Sequence, residues 1–363
     1  AGMKYRAPVR VLHVESGQEW RATRDQVRLL VEALIDVPGI RQAVATLEGS
    51  RLAVEAENLG IPVVPLPWST ASDPRALRTL ARVADTGWDV LHAHDAQALR
   101  ILLYISALEG SAGSLVASRR ISGPPRSGWK WRRASVVLAV SELGRDNLLA
   151  AGVEPGRVVV VPNGVDVREM DSQRHGLIRD RVGSTEEHLL VGSFAALEPD
   201  RDHDTFLRAA AIVVARQPSA RFALLGEGSE RPRLEGLIER LGLGGKVCLP
   251  GYVPDARYSM CDFDVFVLPA RSGEMASSAL EALAAGVPLV MPFSLNNRFQ
   301  RDSGIEPVPP GDPQAMAEAL LGLLNDPGRR KEAGEAARRT AENHGLSGMV
   351  RGTLRAYEAV VRS

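Results

Sequence analysis

The sequence predicts an α/β chain built from two doubly wound parallel sheets, and two observations carry that prediction. Short runs rich in β-branched residues alternate with amphipathic helical stretches from end to end, the pattern of strands covered by helices on both faces. The alternation stops once, across a polar, Arg-rich stretch at residues 168–187, and then restarts. At 363 residues the chain is too long for one ordinary core and fits two domains.

In the first half, strands are expected at residues 9–14, 43–47, 61–66, 90–93, 115–118, 136–140 and 158–161, with a helix at 27–34. Pro162-Asn163-Gly164-Val165-Asp166 then supplies turn chemistry, and it sets the expected domains at 1–167 and 168–345. The second half opens on a strand at 189–192. A helix follows on which Phe206, Ala209, Ala210, Val213 and Val214 recur at helical spacing. Further strands are expected at 222–225, 247–249, 265–268 and 289–291, and a last helix at 349–361 within the segment 346–363.

Composition narrows the function classes. With 45% hydrophobic and 24% charged residues the chain is globular rather than disordered. Cys248 and Cys261 fit no metal-ligand spacing and read as reduced structural thiols. Formal net charge is zero, so nothing in the overall balance favours nucleic acid. No apolar run reaches the roughly 18 residues a spanning helix needs. A cytoplasmic location is expected, with contact to the inner face of an anionic membrane at most peripheral. No Gly-x-Gly-x-x-Gly opens a helix after the first strand, which argues against a dinucleotide oxidoreductase.

Open parallel sheets bind ligands beyond the carboxyl ends of their strands, so candidate residues are sought in those loops. Gly226 and Gly228 follow a strand; they admit either a phosphate close to the backbone or a tight turn. Ser277 and Ser278 open the helix that begins near Ala276. Its first amides suit a pyrophosphate, while the hydroxyls equally suit N-caps. Glu281, one turn in, is placed to accept from ribose hydroxyls or to stand in solvent. His94 ends a strand, where it faces an acceptor hydroxyl or bonds a neighbouring loop, and Asp95 reads as the N-cap of the next helix. Arg119, Arg120, Arg126, Lys130, Arg132 and Arg133 interleave with Trp129 and Trp131. That pattern fits an anionic glycan or membrane surface, or a solvated loop with packed tryptophans.

Three motifs follow in order in the second half: Leu224-Leu225-Gly226-Glu227-Gly228, Leu249-Pro250-Gly251-Tyr252-Val253, and Leu280-Glu281-Ala282-Leu283-Ala284-Ala285-Gly286-Val287-Pro288. In the first half stand Asp89-Val90-Leu91-His92-Ala93-His94-Asp95, Val140-Ser141-Glu142 and Val161-Pro162-Asn163-Gly164-Val165-Asp166. Together these resemble the family 4 glycosyltransferases over nearly the whole chain. The resemblance implies the GT-B fold, two Rossmann-like domains facing across a cleft, acceptor bound by the first, nucleotide sugar by the second, and a C-terminal helix crossing back. It implies a retaining, metal-independent transfer with no cofactor beyond the nucleotide-sugar substrate.

Carried over by position, the resemblance implies base contacts at Gly251, Tyr252 and Val253, ribose at Glu281 and a phosphate at Gly17. Arg201 takes the place of a lysine that neutralises the departing diphosphate, and Ala196 that of the family's arginine. The resemblance also implies Glu274 as a donor-sugar ligand, although the family order Glu-Gly is here Gly273-Glu274. Arg119 and Arg120 stand where many members place a histidine and, with Trp20, would bind the acceptor. Two activities stay open: transfer onto a glycan, lipid-linked or small-molecule acceptor in cell-surface polysaccharide or lipopolysaccharide synthesis, or a degenerate protein that binds without turnover. A nucleotide-sugar epimerase of the same fold would need an acid and a base that the sequence does not offer.

Overall fold

A computed structural model describes residues 8–17, 22–68, 73–109, 113–170, 175–199, 201–270, 275–293 and 303–361. The chain divides into two compact units, Ala1–Gly164 with Leu346–Ser363, and Val165–Gly345.

The first unit contains β1 (Val9–Val14), α1 (Ala22–Ile35), β2 (Ile40–Leu47), α2 (Arg51–Asn58), β3 (Val63–Leu66), α3 (Pro74–Ala84), β4 (Val90–Ala93), α4 (Ala96–Glu109), β5 (Ser114–Arg119), β6 (Val136–Ala139), α5 (Glu142–Ala150) and β7 (Val158–Val160). Its strands lie in the order β3-β2-β1-β4-β5-β6-β7, all parallel. The second unit contains α6 (Leu177–Arg181), β8 (Leu189–Phe194), α7 (His203–Arg216), β9 (Ala220–Leu225), α8 (Arg231–Arg240), β10 (Val247–Gly251), β11 (Val265–Val267), α9 (Ser277–Ala284), β12 (Leu289–Pro292), β13 (Ile305–Val308), α10 (Pro313–Leu324) and α11 (Pro327–Asn343). Here the order is β10-β9-β8-β11-β12-β13, again all parallel. The last helix, α12 (Leu346–Val361), belongs to the first unit.

Each sheet is wound outward from its first strand, then resumed on that strand's other side. The winding direction therefore reverses between β1 and β4 and between β8 and β11, the two places where such sheets open a crevice for ligands. Period-2 alternation gives each strand two buried faces. On β1, Leu12 and Val14 join the cluster that includes Leu91, Leu102 and Leu148, while Val9 and Val11 pack on the other face with Leu30 and Leu34 of α1 and Leu354 and Tyr357 of α12.

Two elements depart from the sequence reading. β13 was not expected, because Ile305–Val308 contains Glu306 and Pro307 and is partly exposed. Its place at the sheet edge, pairing only with β12, is where a proline without an N–H is tolerated. The Arg-rich stretch holds α6, fixed by buried charge rather than apolar periodicity. Asp262 accepts from the amides of His175, Gly176 and Ile178, and fully buried Arg179 pairs with Asp264 at 2.8 Å. Among the described residues no helix is long and apolar enough to cross a membrane.

Candidate functional site

In the second unit, α9 begins just beyond β11, beside the end of β8. Its cap position is Ala276 and no side chain caps it, so the first turn presents backbone amides and the positive end of the helix dipole. The reading of Ser277 and Ser278 as N-caps therefore fails. Ser278 instead donates its hydroxyl to the Phe194 carbonyl at 3.2 Å, tying this turn to the end of β8, and Ser277 is buried. Glu281 lies half-buried one turn further on. Arg201 follows β8, and its backbone pairs antiparallel with Ala270, just past β11, which places it at the same reversal. His203 holds the Ala196 carbonyl at 2.8 Å, so the residue in the family's arginine position is fixed by its backbone.

On the flanking strands, Gly226 adopts φ +148, and a Cβ there would lie 2.1 Å from the Ala195 carbonyl oxygen. At Gly228 the corresponding clash is 2.3 Å with the Leu197 oxygen. The loops after β8 and β9 meet backbone to backbone, with the Leu197 amide donating to the Glu227 carbonyl at 3.0 Å. These glycines are demanded first by that contact. Gly251 ends β10, Tyr252 is 56% exposed, and Val253 is buried in the core, leaving only its backbone for a ligand.

In the first unit, one face of the sheet changes character along its strands. Val9 and Val11 are followed two by two by His13 and Glu15, Val90 by His92 and His94, and Val116 by Ser118 and Arg120. His13 pairs with His92 across the β1–β4 register. His13 Nδ1 and His94 Nε2 lie 2.9 Å apart, and His92 bonds the Tyr357 hydroxyl at 2.6 Å and Ser118 at 2.8 Å. Burial holds all three imidazoles neutral: His13 falls to about 3, and His92 and His94 lie well below their ordinary value.

Their ring nitrogens lie within 4.8 Å of one another, as a metal would require. Against an ion, both His92 nitrogens are spent on Tyr357 and Ser118, and His13 and His94 share one bond. The Arg120 charge also opposes protonation of all three rings, and it would oppose a cation in the same way. Arg120 bonds Asn163 Oδ1 at 3.2 Å and no carboxylate among the described residues; burial lowers its pKa to about 10. Glu15 accepts from the Gly17 amide at 3.0 Å and pairs with Arg24 at 2.8 Å. Burial, and then Asp95, push its pKa up to about 7. Asp95 caps α4 through the amides of Gln97 and Ala98 and also takes the amide and hydroxyl of Ser16.

Residues 176–340 match the family described as glycosyl transferases group 1, and residues 25–169 match glycosyltransferase family 4. The chain belongs to glycosyltransferase family 4. The phosphatidyl-myo-inositol mannosyltransferase of Mycobacterium leprae is 28% identical over 94% of this chain and 90% of its own. The alpha-D-kanosaminyltransferase of Streptomyces kanamyceticus is 27% identical over 86% and 93%. A D-inositol 3-phosphate glycosyltransferase of Kribbella flavida is 28% identical over 58% of this chain, which spans only 53% of that protein's length. Among solved structures, Anabaena HepE in complex with UDP-glucose superposes with a TM-score of 0.80 at 17% identity, covering 96% of this chain and 99% of that one. The fold is thus that of the GT-B glycosyltransferases.

Not all predicted site residues of this family 4 glycosyltransferase come together. Trp20 and Glu274 lie outside the described residues. Arg119 points away from Arg120, across the strand; its guanidinium is buried against the carbonyls of Ile121 and Gly123, so it is an anchor for its own loop and not an acceptor ligand. In the basic loop, Trp131 is buried, Arg133 lies over Trp129 at 5.5 Å, and Lys130 donates to the Ala96 carbonyl, which is the packed-tryptophan arrangement. The amide of Gly17, expected to be open to a phosphate, is taken by Glu15, and Arg24 covers the position of a Cβ. Sequence reasoning missed His13, Glu15 and Tyr357. The signal available for the first two was the repeated replacement of valine by a polar residue at i+2.

Proposed function

We propose that this transferase moves a sugar from a nucleoside diphosphate sugar to a hydroxyl of a glycan, lipid-linked or small-molecule acceptor, with retention of configuration and no metal. One observation carries the reading. The uncapped amino end of α9 is tied to β8 through Ser278, and the backbone of Arg201 pairs with Ala270, just past β11, at the same reversal of the parallel sheet. Backbone amides, a helix dipole and a guanidinium at one crevice form a seat for a departing diphosphate. Anabaena HepE, which shares the fold, has been solved with UDP and with UDP-glucose, and the relatives' names describe sugar transfer, two of them naming an inositol-containing molecule and one a kanosaminyl group.

In this reading Glu281 accepts from the ribose hydroxyls, and the backbone at Gly226, Gly228, Gly251 and Val253, with the ring of Tyr252, holds the nucleotide. Glu274 takes hydroxyls of the donor sugar. The diphosphate oxygen that leaves the anomeric carbon accepts the proton of the incoming hydroxyl, so the new bond forms on the face the old one vacates. The protein then supplies charge stabilisation and alignment rather than a strong base. The acceptor is assigned to His94 and Arg120 of the first unit, and by the resemblance to Trp20. Assembly of cell-surface glycans or glycolipids at the cytoplasmic face is the process this reaction would serve.

Isothermal titration with UDP, GDP and ADP and their sugars tests the reading. One nucleotide should bind, and turnover of its sugar should persist in excess EDTA. Arg201→Ala should lower kcat by about 10²–10³-fold with a smaller change in donor affinity. Binding without turnover on a broad acceptor panel would leave a nucleotide-sugar-binding protein, and no nucleotide binding at all would remove the proposal.

A further inference from the structure

The proposed donor crevice lies at the carboxyl ends of the second sheet's strands, and at their amino ends lies a cavity of about 590 Å³, a size usual for small-molecule sites. Its place follows from the topology. Asp264 precedes β11, Pro288 precedes β12 and Ala285 follows α9, so the wall is made where those strands begin and that helix ends. The uncapped start of α9 and the Arg201–Ala270 pairing lie at the other ends of the same elements. A molecule in the cavity is thus separated from the diphosphate seat by the length of α9, about 12 Å, and is not a reactant in the transfer. One side of the cavity is apolar, with Phe263, Val287 and Pro288. The other is a stripe of α11, where Arg330, Gly334 and Arg338 recur at four-residue spacing beside Lys331 and Glu335. Gly334 is required there, because a Cβ would lie 2.4 Å from the Gly286 carbonyl oxygen.

The cations of this stripe are only partly used. Arg330 donates through Nη1, to the Leu323 and Leu324 carbonyls at 3.0 and 3.1 Å, and its Nε stands 3.8 Å from Asp264. Arg338 makes one bond, from Nη1 to the Ala284 carbonyl at 3.2 Å. Lys331 and Glu335 have no partner among the described residues. Asp264 is matched by Arg179 at 2.8 Å, which leaves three cations of the lining against the one carboxylate of Glu335. Gathering like charges on one wall costs free energy unless a counter-charge joins them. The excess is two positive charges, and a phosphate monoester brings nearly two negative ones and three acceptor oxygens.

We propose that this cavity is a second ligand site and that it takes a small phosphate ester. Lys331 and Arg330 hold the phosphate, Arg338 donates to oxygens further along the ligand, and the carbon skeleton lies against Phe263, Val287 and Pro288. Such a ligand bears on the transfer as an effector, through α9: Arg338 holds the carbonyl of its last residue, and its first amides open the donor crevice. The site itself does not depend on the transferase reading.

Calorimetric titration of the full chain with ribose 5-phosphate, glycerol 3-phosphate and inorganic phosphate tests the site. At least one ester should bind, and more tightly than inorganic phosphate, because only an ester meets the apolar side; equal affinity for all three removes the ester from the proposal. Lys331→Glu, a change at an exposed helical position, should remove one binding site. Arg338→Gln should weaken the ester about tenfold, and Glu335→Gln, which deletes the opposing charge, should tighten it. Phosphates also suit the proposed diphosphate seat, so each variant is titrated with UDP as well. Loss of the ester in Lys331→Glu with UDP affinity unchanged assigns the ester to the cavity. If ester affinity and stoichiometry are both unchanged in Lys331→Glu, or if no probe binds the wild type, the site is overturned. Ester binding that depends on Lys331 in a chain that binds no nucleotide sinks the transferase reading alone.

Discussion

Burial acts with opposite signs on Glu15 and on the histidines beside it. Glu15 ionises near 7 when folded against about 4.3 in an unfolded chain, so between those values the folded state keeps a proton that the unfolded state has lost. Its contribution to stability therefore falls as pH rises through that window. Glu15→Gln removes the term. The variant's gain over wild type should grow from pH 4 to pH 8 by about 3 kcal/mol, and urea denaturation showing the same gain at both ends would contradict the assignment. His13, His92 and His94 behave the other way, because their folded pKa values lie below 6.5. The stability they carry is complete above about 6.5 and is lost as pH falls, by up to about 1.4 kcal/mol per pH unit for each ring. A stability curve of the Glu15→Gln variant, which lacks the opposing term, that is level between pH 7 and pH 5 would show that the rings are not held neutral.

Single elements are positioned by contacts that give sharper expectations than their propensities do. A methyl group at Gly226 meets the Ala195 carbonyl and a backbone angle closed to it. Gly226→Ala should cost about 2–3 kcal/mol in urea denaturation and weaken nucleotide binding with it; a change below about 0.5 kcal/mol would mean that the two loops can part. Asp95→Ala uncaps α4 and strands the Ser16 amide, and a loss of about 1–2 kcal/mol is expected from the cap alone. The strands were legible because both faces of a parallel sheet are buried, which leaves continuous apolar runs. β13 and α6 were not, since an edge strand with a proline and a helix held by Arg179 and Asp262 have no such run. Arg201, Ser278 and Glu281 are candidates that the order of motifs along the chain points to. The cluster of His13 with Tyr357 could not be found so, because its meaning depends on which elements are neighbours: β1 lies beside β4, a fact of topology that no local pattern contains.

For the molecule as a whole, the segment after Gly345 is the part whose sequence position and spatial allegiance differ most. α12 returns to the first unit, where Met349, Leu354, Tyr357 and Val360 cover the apolar half of the face formed by Val9, Val11, Val90, Val116 and Val136. Large side chains buried this way contribute about 1.5–3 kcal/mol each, so together they are comparable with the whole stability of a domain. Tyr357 also reaches the polar half, and its hydroxyl is the partner of His92. Two changes therefore dissect the helix. Tyr357→Phe keeps the packing and strands one buried ring nitrogen, for an expected loss of about 1–2 kcal/mol confined to the first unit. Truncation after Gly345 removes the cover altogether. Hydrogen exchange should then show β1, β4, β5 and β6 losing protection while β8, β9 and β11 keep theirs, because the second unit has clusters of its own. If β1 and β4 stay protected in the truncated chain, the first sheet closes its core without α12, and the Tyr357–His92 bond is an ornament on an already stable face rather than part of what holds it.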